Sequence, residues 1–121
     1  MYDDKNIFAR IIAGEIPCDK VYDDENTIAF KDISPAAPIH ILVLPKGKYI
    51  SYDDFITKAP SEIIHKFFQA VQKIAADLNL TKSGYRIITN HGDNAGQSVP
   101  HFHIHILGGQ TLGPLIAAGN K

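Results

Sequence analysis

Residues 101–107 read His101-Phe102-His103-Ile104-His105-Ile106-Leu107, so three histidines alternate with apolar residues. Successive side chains of a β-strand point to opposite faces of the sheet, and neighbours on the same face lie about 7 Å apart. The pattern therefore predicts a strand with all three imidazoles on one face and the hydrophobes anchored in the core. A shift of one residue would exchange the two faces, so the pattern also fixes the register of the strand.

A row of imidazoles suits chemistry on a phosphate ester or anhydride. A neutral imidazole is a competent nucleophile, and its ordinary pKa lies near physiological pH. One histidine of the row could attack phosphorus, a second could hydrogen-bond to the non-bridging oxygens, and a third could manage a proton. Alternating histidines can also ligate zinc. Because the sequence offers no obvious cysteine or glutamate to complete such a set, zinc binding stays an alternative and no metal ligand is assigned.

The loop that precedes the histidines, residues 91–100, is rich in Gly, Asp and Asn. Gly92 and Gly96 allow the main chain to approach a ligand closely. Exposed N–H groups and the hydroxyl of Ser98 could hold phosphate oxygens. His65, on the predicted long helix, and His91, at the start of this loop, are predicted to be ordinary surface residues.

Two helices are predicted. Asn6 precedes apolar residues spaced four apart and Gly14 follows them, which indicates a short amphipathic helix at the N-terminus. Ser61 is predicted to cap the longest helix, whose apolar stripe runs to Leu78. The segment between the strands and this helix, residues 46–60, is predicted to be a polar connection.

Short strands account for most of the remaining chain. The apolar and polar patterns predict strands at residues 20–22, 27–31, 39–44, 85–90 and 101–107. The first two are joined by a polar turn, and the apolar strand at 39–44 contains a single histidine, His40. These elements together predict an α+β fold with an antiparallel sheet.

Length and composition set further limits. A chain of 121 residues predicts a single domain over 1–121, which we divide into a core of about residues 5–109 and a variable C-terminal tail, residues 110–121. The formal net charge of -1 and the pI near 6.6 lack the basic excess of a nucleic-acid or anionic-membrane binder. The single cysteine, Cys18, indicates a reducing compartment and is interpreted as a buried or incidental thiol. The acidic N-terminus and the lack of a bilayer-length apolar run predict a cytoplasmic protein.

The chain resembles the histidine triad (HIT) superfamily, in its nucleotide-binding, purine nucleoside phosphoramidase branch. The resemblance begins with the three histidines and runs in order from about Ile7 to Gly109. The other matching stretches are Ile7-Phe8, Glu15-Ile16-Pro17, Phe30-Lys31-Asp32-Ile33-Ser34-Pro35-Ala36-Ala37-Pro38-Ile39-His40, Ala75-Ala76-Asp77-Leu78, Gly84-Tyr85-Arg86 and Gly96-Gln97-Ser98-Val99.

This resemblance implies a HIT-like fold, a five-stranded antiparallel sheet with a short N-terminal helix and one long helix. It implies a homodimer with a continuous sheet, acting on a purine nucleoside monophosphate or its phosphoramidate. The implied reaction is hydrolysis of the P–N bond, which releases the nucleoside monophosphate through a nucleotidyl-histidine intermediate. No metal or other cofactor is required in this scheme, and neither nucleic acid nor membrane is an expected partner.

The resemblance also assigns catalytic roles. His103 is the expected nucleophile, with the main chain near His101 orienting its other ring nitrogen. His105 and Asn90 are expected to contact the α-phosphate. Ser98, together with His40 and His101, is expected to handle the leaving group or its proton.

The implied nucleotide pocket draws on three parts of the chain. Asp32 is expected to accept hydrogen bonds from the ribose hydroxyls, with Ile33 beside it. The loop before the histidines is expected to contribute Gly96, Gln97 and Ser98. The apolar slot for the base is expected to be formed by Ile7, Phe8, Phe30 and Leu42.

Two alternatives remain at this point, a dinucleoside polyphosphate hydrolase and a nucleotide-binding protein with vestigial catalysis. The Leu107-Gly108-Gly109 ending disfavours the first, since that branch more often has proline after the histidines. The tail reads Gln110-Thr111-Leu112-Gly113-Pro114 before an apolar end, and the chain has no tryptophan. Relatives often carry a basic residue and a tryptophan in this region, so the leaving-group preference stays open.

Overall fold

The structure is a computed structural model, and it describes residues 1–116. Five strands form one sheet in the order β1-β2-β3-β5-β4, and every neighbouring pair is antiparallel. Their bounds are β1 Lys20–Asp23, β2 Thr27–Lys31, β3 Ile39–Pro45, β4 Tyr85–Ile88 and β5 Ile104–Gly108. The predicted five-stranded antiparallel sheet is therefore confirmed, with β1 and β4 at its edges.

Within residues 1–116, four α-helices accompany the sheet, α1 Ile7–Ile12, α2 Tyr52–Lys58, α3 Ser61–Asp77 and α4 Leu80–Ser83. The predicted cap of α1 is present, because the Asn6 side chain accepts a hydrogen bond from the Ala9 N–H at 2.9 Å. The expectation of only one short and one long helix was incomplete, since it omitted α2 and α4. The segment at 46–60 is not a polar connection throughout: it contains α2, which Ser51 caps and whose Phe55 is fully buried.

Three predicted boundaries were wrong. Ser61 does not cap α3, because Pro60 occupies the cap position and Ser61 is already helical. Strand β4 ends at Ile88 rather than at residue 90, and β5 begins at Ile104 rather than at residue 101. The late start of β5 has a clear cause: the Phe102 N–H donates to the Tyr49 carbonyl at 2.7 Å, outside the β3–β5 ladder.

The sheet separates two apolar clusters. The main core packs the helix side of the sheet against α3 and α2, and at its centre the ring of Phe102 lies 4.8 Å from that of Phe55 and 5.5 Å from that of Phe67. The smaller cluster on the other face contains Phe8, Ile28, Phe30, Leu42 and Leu44. Strand β3 supplies both clusters, because alternate residues along it point to opposite faces.

The chain beyond the sheet returns along β4. Arg86 donates to the carbonyl of Gly113 at 3.0 Å and to that of Pro114 at 3.5 Å, so the first part of the predicted tail lies beside the sheet edge. The end of the predicted tail, residues 117–121, lies outside the described residues. Within residues 1–116, none of the helices has both the length and the apolar character needed to cross a membrane.

Candidate active site

The three histidines share one side of the chain, as the alternation predicts. Phe102, Ile104 and Ile106 are buried in the main core. The ring of His103 instead lies 4.8 Å from that of Phe8 in the smaller cluster, and 5.1 Å from the ring of His105. Only the last histidine lies within β5 itself, so side-chain and loop contacts hold the first two.

His103 has one ring nitrogen committed and one free. Its Nδ1 lies 2.7 Å from the main-chain carbonyl of His101 and must carry the proton, since a carbonyl only accepts. Within residues 1–116, no protein group hydrogen-bonds to Nε2, which keeps its lone pair. Burial lowers the pKa of His103 below its ordinary 6.5, and the hydrogen bond to the carbonyl of His101 opposes this shift. The ring is therefore neutral near pH 7 and has a nucleophilic nitrogen available.

His105 and His40 form a second hydrogen-bonded unit. The Ala36 N–H donates to His40 Nδ1 at 2.9 Å, so a neutral His40 carries its proton on Nε2. That Nε2–H donates to His105 Nδ1 at 2.9 Å, which leaves the His105 proton on Nε2. Burial, with the neighbouring His103 and His40, lowers the pKa of His105 to about 4. The outcome is a neutral imidazole with a free N–H donor, suited to a phosphate oxygen.

Asp32 joins this unit to the rest of the site. One carboxylate oxygen lies 3.4 Å from His40 Nε2, and the other accepts from the Ser34 N–H at 2.8 Å. Each oxygen keeps a lone pair for a further donor. A partly buried carboxylate in this position can accept hydrogen bonds from the hydroxyls of a bound sugar.

His101 does not occupy the place expected for it. The side chain is fully buried, its Nε2–H donates to the Pro45 carbonyl at 2.8 Å, and its Nδ1 accepts from the Tyr2 hydroxyl at 2.6 Å. Burial lowers its pKa to about 4. With both ring nitrogens engaged and no exposed surface, His101 cannot reach a leaving group, and this expectation is corrected. Its main-chain carbonyl, which holds His103, is its contribution to the site.

The loop before the histidines is braced by its own glutamine. The Gln97 side chain accepts from the Gly92 N–H at 3.0 Å and donates to the carbonyls of Ile50 and Val99 at 2.7 and 3.1 Å. Gln97 was expected to bind nucleotide, but these three bonds engage both ends of its amide within the protein. Gly96 has a φ of 75°, a conformation that favours glycine at this bend.

The remaining polar residues of the expected site lie around this loop. Ser98 is exposed and Asn90 is half-buried. Asn90 follows Thr89, whose hydroxyl donates to the His103 carbonyl at 2.8 Å and so brings this end of β4 beside the candidate nucleophile. Thr89 was not among the expected site residues, although its hydroxyl lies near the end of a predicted strand and could have been recognised as a contact to the histidine segment.

An apolar cleft of about 290 Å³ opens beside the histidines. Its lining includes every residue expected to form the base slot, together with the expected ribose ligand and its neighbour, namely Ile7, Phe8, Phe30, Leu42, Asp32 and Ile33. Ile33 is 97% exposed and Ile7 is 47% exposed, so two large aliphatic side chains stand at the mouth with one side uncovered. Such a slot suits a flat apolar ring system.

Other lining residues were not expected. They are Ile11, Ile16, Pro17, Cys18, Lys31 and Val99. Cys18 is half-buried in this lining, and burial raises the pKa of its thiol. The interpretation of Cys18 as a buried or incidental thiol did not place it in the cleft, because only the fold brings the segment after α1 against β2.

Asp32, His40 and His105 also form a possible metal cluster, since their ligand atoms lie within 4.8 Å of one another. A metal-bound neutral histidine normally donates its other N–H to an acceptor. His40 Nδ1 instead accepts from the Ala36 N–H, so metal binding at Nε2 would leave both ring nitrogens of His40 without a proton. The observed hydrogen bonds fit a proton-ordered relay between His40 and His105, and binding of a metal ion at His40 Nε2 would require the Ala36 contact to change.

The fold and the site define the class of small α+β proteins with three alternating histidines beside an apolar cleft. The model of the HIT domain family matches residues 13–112, and the chain belongs to this family. The chain is 40% identical over 114 residues to the purine nucleoside phosphoramidase of Escherichia coli K12. This match covers 94% of this chain and 95% of the relative. It is 50% identical over 118 residues to an uncharacterised 13.2 kDa HIT-like protein of Azospirillum brasilense. That match covers 98% of this chain and 97% of the relative.

Solved structures agree with this assignment. A HIT family hydrolase from Clostridium thermocellum superposes with a TM-score of 0.86 at 42% identity, covering 94% of this chain and 98% of that one. A histidine triad protein from Clostridium difficile gives a TM-score of 0.83 at 40% identity, with the same coverage. The expected HIT-like fold is thereby confirmed.

Proposed function

We propose that this chain hydrolyses purine nucleoside phosphoramidates, releasing the nucleoside monophosphate and an amine through a nucleotidyl-histidine intermediate on His103. The observation that carries the proposal is the state of His103. Its Nδ1–H is held by a carbonyl at 2.7 Å while Nε2 keeps a free lone pair beside the cleft. The relative named purine nucleoside phosphoramidase, at 40% identity, supports the same substrate class.

The proposed binding mode follows the cleft. The base enters the apolar slot between Phe8 and Leu42 and is flanked at the mouth by the exposed Ile33. The ribose hydroxyls donate to Asp32, whose oxygens keep lone pairs. The α-phosphate then lies toward His103 and His105. Phe8 of the slot contacts the His103 ring, and Asp32 lies beside His40, which is hydrogen-bonded to His105.

In the first proposed step, His103 Nε2 attacks the α-phosphorus and the P–N bond breaks. The ring becomes an imidazolium, and the His101 carbonyl that accepts from Nδ1–H stabilises its positive charge. The His105 Nε2–H donates to a non-bridging oxygen, where negative charge accumulates. The departing nitrogen takes a proton and leaves as an amine. We assign the exposed hydroxyl of Ser98 as the candidate donor of this proton, which a solvent water replaces on Ser98 Oγ.

In the second step, water attacks the phosphorus of the nucleotidyl-histidine. The P–Nε2 bond breaks, its electron pair returns to Nε2, and the water loses a proton to solvent. The products are the nucleoside monophosphate and a neutral His103 ready for another cycle. The chemistry needs no redox partner, and its atoms balance without a metal ion.

The test is turnover of an adenosine phosphoramidate with a fluorescent amine as leaving group, measured in the presence of a chelator. Wild type should release the amine, His103→Ala should not, and His65→Ala should match wild type because His65 is exposed on α3. Equal turnover by His103→Ala and wild type would contradict the proposal. Faster turnover of a diadenosine polyphosphate than of the phosphoramidate would favour the polyphosphate alternative.

Nucleotide binding can be tested separately through the single cysteine. Cys18 lines the cleft, so AMP should slow its alkylation by a small thiol reagent. Ile33→Asp should weaken this protection, since it places a charge at the apolar mouth. Protection by AMP without turnover of any substrate would favour the binding-only alternative, and alkylation unaffected by saturating AMP would argue against the proposed pocket.

We also propose that the chain forms a homodimer through the β4 edge of the sheet. Ile87 on this edge strand is 47% exposed and Phe68 on α3 is 37% exposed, so apolar surface lies beside an edge that pairs with no further strand within residues 1–116. Light scattering should give twice the chain mass for wild type and the chain mass for Ile87→Asp. A monomer mass for wild type would contradict this proposal.

A further inference from the structure

The second residue of the chain reaches the first of the three histidines. The Tyr2 hydroxyl lies 2.6 Å from His101 Nδ1, across 99 positions of sequence, and the two rings meet edge to face at 5.6 Å. Because His101 Nε2–H donates to the Pro45 carbonyl, Nδ1 is the unprotonated nitrogen and Tyr2 is the donor. The Pro45 carbonyl therefore fixes which nitrogen of His101 carries the proton, and the Tyr2 hydroxyl satisfies the other nitrogen.

The main chain around His101 depends on contacts of this kind. Residues 101–103 precede the β3–β5 ladder, whose pairs begin at Ile104. The Phe102 N–H is held by the Tyr49 carbonyl and the His101 N–H by the Val99 carbonyl, while the His101 ring is held at its two nitrogens. Tyr2 supplies one of the two bonds that fix this ring.

The position of His101 matters because its carbonyl binds His103. The His103 Nδ1–H donates to that carbonyl at 2.7 Å, and this bond keeps the lone pair on Nε2. The ring is an anchor for the main chain of residue 101, so loss of one of its two hydrogen bonds would leave the His101 carbonyl freer to shift. His103 Nδ1–H would then lose its acceptor, and the proton could move to Nε2. A hydroxyl two residues from the N-terminus thus bears on the tautomer of the candidate nucleophile.

We propose that Tyr2 is a positioning residue for His103, acting through His101. Tyr2 does not touch substrate in this account: its hydroxyl satisfies a buried acceptor and thereby holds the carbonyl that orients the nucleophile. The proposal rests on the proposed function for its catalytic consequence, while its structural consequence can be observed without any substrate.

Tyr2→Phe is the variant that tests the proposal, since it removes the hydroxyl and keeps the ring. The variant leaves one buried acceptor unsatisfied. We therefore expect kcat to fall roughly tenfold, with KM unchanged. Tyr22→Phe is the matched control: it also loses a hydroxyl hydrogen bond of 2.6 Å, to Asp24, but in the β1–β2 hairpin. This control should keep the kcat of wild type.

The decisive measurement is the ¹⁵N spectrum of the histidine side chains, recorded without substrate on the 121-residue chain with no tag added before Met1. Wild type should show His103 protonated on Nδ1, and Tyr2→Phe should shift its signals toward the Nε2-protonated form. Tyr22→Phe should leave them in place. Identical His101 and His103 signals in wild type and Tyr2→Phe would overturn the proposal, whatever the activities.

The two proposals fail in different ways. A wild type that turns over no phosphoramidate contradicts the proposed function, whereas the ¹⁵N comparison still decides the role of Tyr2. Conversely, a wild type that is active while Tyr2→Phe keeps both its kcat and its histidine signals overturns the role of Tyr2 alone.

Discussion

The hydrogen bond between His40 and His105 can be tested with two conservative substitutions. A glutamine at position 40 places an amide N–H near the position of Nε2, where it can still donate to His105 Nδ1. An asparagine is one methylene shorter and matches only Nδ1, so it can accept from the Ala36 N–H and leaves His105 Nδ1 without a donor. The two variants thus separate the two contacts of His40, each of which is 2.9 Å long.

The magnitude follows from the contact that is lost. An unsatisfied buried acceptor costs about 1–3 kcal/mol, which corresponds to roughly 5- to 150-fold in rate when the cost is felt in the transition state. In His40→Asn the proton of His105 can move to Nδ1, and the N–H that the phosphate oxygen needs is then absent. We expect a loss of about 30-fold in kcat for His40→Asn and less than about fivefold for His40→Gln.

The assay is steady-state turnover of a fluorogenic adenosine phosphoramidate, combined with thermal unfolding of each variant. His65→Asn and His65→Gln are the controls, because they make the same changes on an exposed helix face. Equal kcat values for His40→Asn and His40→Gln, in variants of equal stability, would refute the assigned tautomers of the relay.

Three further predictions concern stability and the loop. Lowering the pH from 7 to 5 should reduce the free energy of unfolding measured in urea: the pKa of buried His101 is about 4, so the unfolded chain binds protons that the folded chain excludes. The slope should approach about 1.4 kcal/mol per pH unit for this group, with a further contribution of the same sign from His105, whose pKa is also about 4, and a flat profile would contradict it. Phe102→Ala should cost about 3–5 kcal/mol in the same assay, since the ring is 1% exposed at the centre of the core, and a loss below about 1 kcal/mol would contradict this packing. Gln97→Ala should raise KM about tenfold by releasing the loop, whereas an unchanged KM would show that its bonds to main-chain atoms do not shape the site.

The features that the sequence predicts well are periodic. Alternation of Phe102 with His103 predicted one ring in the core and the other in the site, and the structure has this arrangement although β5 begins only at Ile104. The apolar stripe of α3 was equally predictable, and Phe67, Val71 and Ile74 are buried as expected. Both patterns rest on repeated spacing, so a single exception does not hide them.

The missed elements lack such repetition. Helix α2 is one short segment in which Phe55 is the single buried residue, so its apolar pattern is too brief to stand out. The local sequence feature that indicates the start of α2 is Ser51, three residues before Asp54. The Ser51 side chain accepts a hydrogen bond from the Asp54 N–H at 3.3 Å. That pair is a cap that sequence analysis could have used.

Long-range contacts decide the roles of the individual histidines, and the sequence could not supply them. His101 looks equivalent to His103 in the motif, yet it is fully buried because the end of β3 brings the Pro45 carbonyl to one side of its ring and Tyr2 meets the other. The tautomer of each imidazole likewise depends on partners distant along the chain. The chemical class of the site was predictable from the sequence, whereas the role of each histidine within the site was not.

The most direct test of the central claim is a single-turnover reaction of wild type with an adenosine phosphoramidate, quenched rapidly and examined by peptide mass spectrometry. The account predicts a transient adenylyl group on His103, which forms and decays at rates that match turnover and is absent in His103→Ala. Turnover without a covalent adduct, or an adduct on His105 instead, would contradict the assignment of His103 as the nucleophile.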